Sequence, residues 1–141
     1  MADRVLVAYD ATPLADDALE FAFERFPDAE LTALYVVEIP DSHWAILEGP
    51  EIRLPITERA HDHATEVLEG AVELAAEYDR GLTTEIETGK PDQRIVDLAA
   101  DEGYDAIVLG SHGRSRVSSA LLGSVAERVV RQSPVPVAVV R

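Results

Sequence analysis

Apolar and polar positions alternate along the chain in blocks of two kinds. Val5–Tyr9 is an unbroken apolar run ended by Asp10, the pattern of a strand covered on both faces. Thr12-Pro13 supplies an N-cap and a first-turn proline, and Asp16 and Asp17 suit the positive end of a helix dipole. Leu14, Ala18, Leu19, Ala22 and Phe26 recur at helical spacing as far as Pro27, and Leu31–Val37 reads as a second strand. Residues 38–55 form the one long irregular stretch, broken by Pro40, Gly49, Pro50 and Pro55.

The alternation then resumes. A helix is predicted from about Thr57 to Tyr78, with Gly81 just past its end, then a third strand over Leu82–Thr88. Gly89-Lys90-Pro91-Asp92 turns into a helix with Ile95, Val96, Leu98 and Ala99 on its apolar face, closed near Gly103. Ala106–Leu109 is a fourth buried strand running into Gly110. A last helix starts near Ser124 and ends before Pro134, and Val135–Val140 is the terminal strand. Five strands alternating with four helices predict one α/β domain over residues 1–141: a parallel sheet, helices on both faces, right-handed crossovers. Ligands of such sheets bind beyond the carboxyl ends of the strands, where Asp10, Val36 and Gly110 lie.

Composition narrows the classes. There is no cysteine, so disulfide scaffolds, thiol nucleophiles and thiolate zinc sites are excluded. No apolar run approaches the ~20 residues of a membrane span, and the N-terminus has no signal-peptide pattern, so a cytoplasmic location is expected. The net charge is −15, but Gly110–Arg141 holds five arginines against one acid, leaving −19 on the first 109 residues. That distribution disfavours nucleic acid and leaves room for a small anion near the basic segment. Eleven arginines stand beside a single lysine, Lys90, and an acid-rich, lysine-poor surface points to a salt-loving source.

The basic segment carries the distinctive motif: Gly110-Ser111-His112-Gly113, nine residues, then Gly123-Ser124. This G-x2-G-x9-G-S pattern follows a buried strand and opens a helix. Its glycines allow positive φ and close approach of a ligand. Free N–H groups of Gly123, Ser124 and Val125 would form an anion site backed by the helix dipole. The Ser124 hydroxyl either caps the helix or donates to a phosphate, and Arg114 and Arg116 in the intervening loop supply cations. The arrangement suits a polyphosphate. A Walker G-x-x-x-x-G-K-[ST] and a Rossmann G-x-G-x-x-G are absent, which argues against rapid phosphoryl transfer.

The stretches VLVAYDATP, LTALYVVE, GKPDQRIVDLAADEGYDAIVLGSHG and GSHGRSRVSSALLGSVAERVVRQSPVPVAVV resemble the ATP-binding branch of the universal stress protein family along the whole chain. The resemblance implies a three-layer sandwich with strand order 3-2-1-4-5 and a homodimer. It implies ATP, or AMP or ADP, with Mg2+ or Mn2+, in a stress-response or regulatory role with at most slow hydrolysis. A protein partner of unknown identity goes with that role. Asp10 would accept from the ribose hydroxyls and Val36 would meet adenine through its backbone. Ala8 and Leu109 would wall base and sugar, Gly110 and Gly113 would line ribose and phosphates, and Gly123, Ser124 and Val125 would hold the β- and γ-phosphates. Ala11 departs from the family's frequent glycine. The rival reading is an interaction module of the same fold that binds no nucleotide.

Other residues point less far. His61 and His63 diverge on a helix and cannot share one ion with Glu58 and Glu66, so they read as a solvated face. His112 reads as a loop-shaping residue ahead of a proton carrier. Trp44 either packs on the surface or covers the adenine edge. The uncharged terminal strand lacks the protection an open sheet edge needs, which predicts pairing with a second copy.

Overall fold

The computed structural model describes residues 3–38, 58–113 and 122–141. Its strands are β1 (Arg4–Ala8), β2 (Glu30–Glu38), β3 (Thr83–Gly89), β4 (Ala106–Gly110) and β5 (Val137–Val140). Its helices are α1 (Pro13–Arg25), α2 (Glu58–Glu77), α3 (Pro91–Asp101) and α4 (Ser124–Gln132). All strand pairs are parallel and the order is β3-β2-β1-β4-β5, as expected. Val5 pairs with Leu31 on one side and with Ala106 on the other. The chain therefore winds outward from β1 to β3, then crosses to β4 and β5, and the order reverses between β1 and β4.

The period-2 geometry of the central strands divides the core. Val5, Val7, Leu31, Ala33 and Val108 pack under α1 and α2 with Ala18, Leu19, Ala71 and Ala75. Leu6, Leu34, Ile107 and Leu109 face the other way, against Ile95, Ala99, Ala126 and Val129 of α3 and α4. Being covered on both faces is why these strands read as continuous apolar runs. Thr32, 2% exposed, is the polar residue inside β2, and its Oγ1 accepts from the Tyr104 hydroxyl at 3.0 Å.

Helix ends follow local chemistry, with one shift. The Thr12 hydroxyl caps α1 by accepting from Ala15 N at 3.3 Å. Gly103, at φ 68°, ends α3, and Tyr104 N donates to Ala99 O at 3.0 Å. At the end of α2 the left-handed residue is Asp79 (φ 54°), not Gly81, with Arg80 N donating to Ala75 O at 2.9 Å. Aspartate tolerates that conformation, which lets the helix stop at Glu77, four residues before the glycine. The Arg80 side chain then crosses to α1 and donates to Phe23 O, Phe26 O and Ala29 O at 2.8–3.0 Å. β5 begins at Val137 rather than Val135, because Pro134 and Pro136 have no N–H for the ladder.

Candidate functional site

The carboxyl ends of β1, β2 and β4 open into one cleft of about 220 Å³. Ala8, Asp10, Val36, Leu109, Gly110, Gly113, Gly123, Ser124 and Val125 all line it. These are the expected site residues save Arg114, which with Arg116, Trp44 and the 41–55 stretch lies outside the described residues. The described lining also includes Tyr9 and Thr12 after β1, Glu38 at the end of β2, and Pro91 and Ile95 of α3.

The motif glycines are required for a different reason than expected. Among the described glycines positive φ occurs at Gly89 and Gly103, and Gly123 sits at φ −63°. Close approach is what demands them. A Cβ on Gly110 would stand 2.9 Å from Leu14 Cβ and 3.3 Å from Leu14 C and O. On Gly113 it would stand 3.2 Å from Asp10 Oδ2, and on Gly123 3.1 Å from Ser111 O.

Two details of the expected anion site change. The Gly123 N–H is not free, since it donates to Ser111 O at 2.7 Å. Ser111 N in turn donates to Val140 O at 2.7 Å, so one residue ties the ends of β4 and β5 to the start of α4. Gly123 is the N-cap and Ser124 the first helical residue, so the Ser124 hydroxyl does not cap. The first intrahelical bond runs from Glu127 N to Gly123 O at 2.9 Å. The N–H groups of Ser124, Val125 and Ala126 therefore have no partner within α4 and point out of its positive end, beside the cleft.

The β1 end is held by its own turn. Asp10 Oδ1 accepts from Thr12 N at 3.1 Å and from the Thr12 hydroxyl at 2.5 Å, and Ala11 between them is left-handed at φ 64°. Sequence reasoning assigned Thr12 only to the helix cap. The Asp-x-Thr spacing was the available signal for this second contact. Tyr9 donates to Asp16 Oδ1 at 2.5 Å, and burial first, then that bond, pushes its hydroxyl well above the usual phenol range. Tyr9 is thus a fixed neutral donor. His112 is 8% exposed, with Nδ1 3.2 Å from Ser111 Oγ, a buried position consistent with shaping the loop. His61 and His63 are exposed on α2, and the His63 ring meets Tyr35 edge-on at 6.1 Å.

Strand order, crossovers and a cleft at the reversal point define a doubly wound α/β protein, the cleft lying beyond its strand ends, where such folds place ligands. The chain belongs to the universal stress protein family, which its sequence matches over residues 1–141. It is 32% identical to universal stress protein YxiE of Bacillus subtilis over 148 residues, covering all of both chains. The structure of hypothetical protein MJ0577, a universal stress protein of Methanocaldococcus jannaschii, superposes with TM-score 0.79 at 29% identity, over 98% of this chain and 94% of that one. A universal stress protein from Archaeoglobus fulgidus, solved in complex with dAMP, shares the fold at TM-score 0.70 and 22% identity, over 99% and 98% of the chains.

Proposed function

We propose that this chain is an ATP-binding regulatory protein of the stress-response family, working as a homodimer paired through β5, with hydrolysis slow or absent. The observation that carries this reading is the meeting of Asp10, Val36, Gly110 and the α4 N-terminus in one cleft. A carboxylate at one end suits ribose hydroxyls, and helix N–H groups with no partner inside α4 at the other suit phosphate. The complex of the Archaeoglobus fulgidus relative with dAMP supports an adenine nucleotide as the ligand class. AMP or ADP would use the same base and sugar contacts. Among the described residues no group of three His, Asp or Glu can hold a metal ion, so Mg2+ or Mn2+ would arrive on the phosphate oxygens themselves.

The dimer reading rests on β5, a four-residue edge strand whose Val137, Ala138, Val139 and Val140 are all half-buried within one copy. A second β5 across a two-fold axis would satisfy both edges at once. With −15 per chain, association should tighten as salt shortens the Debye length to ~3 Å at 1 M. Val139→Asp should yield monomers, and an unaltered dimer in sedimentation would overturn that interface. The cytoplasm and a saline habitat belong to the same proposal.

Nucleotide binding is tested by mass spectrometry of ligand released on denaturation and by calorimetry with ATP and AMP. Gly113→Val, which would set a branched side chain against Asp10, should weaken ATP at least about tenfold, or 1.4 kcal/mol. An empty protein without measurable affinity would instead support the interaction-module reading.

A further inference from the structure

Between Gly110 and Gly113 the cleft is lined by a histidine only 8% exposed, His112. Its ring has two distinct sides. On one, Nδ1 lies 3.2 Å from Ser111 Oγ. On the other, Cδ2, the carbon bonded to Nε2, lies 3.7 Å from where a Cβ on Gly123 would stand. Gly123 is the N-cap of α4, so the Cδ2–Nε2 side of the ring lies against the helix end whose Ser124, Val125 and Ala126 N–H groups have no partner within α4. Among the described residues no side-chain nitrogen or oxygen is both fully buried and unpaired, and Nδ1 is the ring nitrogen that makes a hydrogen bond there. Nε2 is therefore open to the cleft.

Ser111 decides which form of the ring the cleft meets. It is 5% exposed and its polar groups are all engaged. Its N donates to Val140 O at 2.7 Å, its O accepts from Gly123 N at 2.7 Å, and its Oγ pairs with His112 Nδ1. A neutral imidazole has one protonated and one bare nitrogen, and the hydrogen bond made at one fixes the state of the other. If Nδ1 carried the proton, it would donate to Oγ and leave the buried hydroxyl proton with no acceptor among the described residues. If the hydroxyl donates to a bare Nδ1, both groups are satisfied. That arrangement puts the ring proton on Nε2. With Ser111 tied through its backbone to β5 and to the α4 cap, the pair is held in place.

We infer that His112 is a neutral donor to the phosphate chain, its Nε2–H converging with the α4 N–H groups on one anion, and that Ser111 is the positioning residue that sets this tautomer. The inference rests on the adenine-nucleotide reading of the cleft and deepens it by adding a side-chain contact at the phosphate end. A neutral donor aimed at a phosphate oxygen makes a charge-assisted hydrogen bond without bringing a counter-charge of its own. The charged groups among the described lining, Asp10 and Glu38, are both acidic, which raises the value of each donor at the other end.

The experiment reads the ring and the affinity separately. In wild-type protein labelled with nitrogen-15, long-range proton–nitrogen spectra at about pH 8, where an ordinary imidazole is neutral, should show His112 protonated at Nε2. Its Nε2 resonance, assigned through the backbone, should move on adding ATP and stay in place on adding adenosine. In calorimetry His112→Phe, which keeps a ring and removes the donor, should weaken ATP at least about tenfold. Adenosine binding to that variant, followed by ligand-observed NMR, should stay within about threefold of wild type. Ser111→Ala should mix the two tautomers. Protonation at Nδ1 in the wild type, or full ATP affinity in His112→Phe, would overturn the inference, and an unchanged tautomer in Ser111→Ala would overturn the role of Ser111. The wild-type spectra decide the matter if a variant fails to fold. ATP binding with an unmoved His112 resonance refutes this inference alone, whereas no ATP binding at all removes the nucleotide reading on which it stands.

Discussion

Among the described glycines, Gly110 is the one whose added Cβ would meet the nearest atom, on the first helix, and Gly110→Ala measures how rigid that approach is. The new Cβ would lie 2.9 Å from Leu14 Cβ and 3.3 Å from the Leu14 carbonyl carbon and oxygen. Unstrained carbon contacts lie at about 3.5–4.0 Å, so the overlap with the Leu14 Cβ is roughly 0.6–1 Å. A flexible side-chain tip would swing aside, but Leu14 Cβ moves only with its backbone. Either the first turn of α1 retreats or β4 shifts, and β4 is held by Val140 on β5. Overpacking of this kind costs about 1–3 kcal/mol, a large part of a total stability of about 5–15 kcal/mol. With a urea m-value of about 2 kcal/mol/M, the unfolding midpoint should fall by about 0.5–1.5 M. Gly81→Ala is the control, since nothing lies within 4 Å of its Cβ position and it should change stability by less than about 0.5 kcal/mol. A Gly110→Ala midpoint indistinguishable from the control would show that α1 yields freely and that close packing is not why glycine occupies the position.

Three further outcomes follow from the geometry. Ala11→Gly should relieve about 1–2 kcal/mol of left-handed strain at φ 64° against about 0.5–1 kcal/mol of added unfolded-chain entropy. A calorimetric scan should therefore show a melting temperature up to a few degrees higher, and a lower one would refute the strain. Arg80→Ala removes three donors to carbonyls at the end of α1 and should cost about 1–3 kcal/mol in urea unfolding; a change below about 0.5 would show water replaces them. Asp105 accepts from the backbone N–H groups of Arg4 and Asp3, which hold its carboxyl below the usual 3.8. Its contribution is therefore full above about pH 4 and lost as pH falls through the depressed folded value, so Asp105→Asn should flatten the acid limb of stability against pH. An unchanged acid limb would count against those two bonds.

Much of this protein was legible in the residues alone, because the signals are local. Unbroken apolar runs such as Val5–Tyr9 and Ala106–Leu109 mark strands buried on both faces, and the alternation with helical periodicity leaves a parallel sheet as the consistent solution. Thr12-Pro13 and Gly103 placed helix ends, since capping depends on the few residues at the end itself. The general place of the cleft also followed, from strand ends and a glycine motif that opens a helix.

What tertiary structure decided concerns pairs of atoms distant in sequence or competing for one partner. Gly110 is glycine because Leu14 passes over it, and no local rule names a residue 96 positions away. The Gly123 N–H looked available to a ligand, yet Ser111 O accepts from it at 2.7 Å. Asp79 ended α2 before the glycine supplied for that purpose, and Arg80 beside it satisfied carbonyls at the end of α1. Sequence specifies which groups each residue brings. Which oxygen of Asp10 is spent on Thr12, and which is left to the cleft, is settled only when backbone geometry brings donors and acceptors within 3 Å or so of one another.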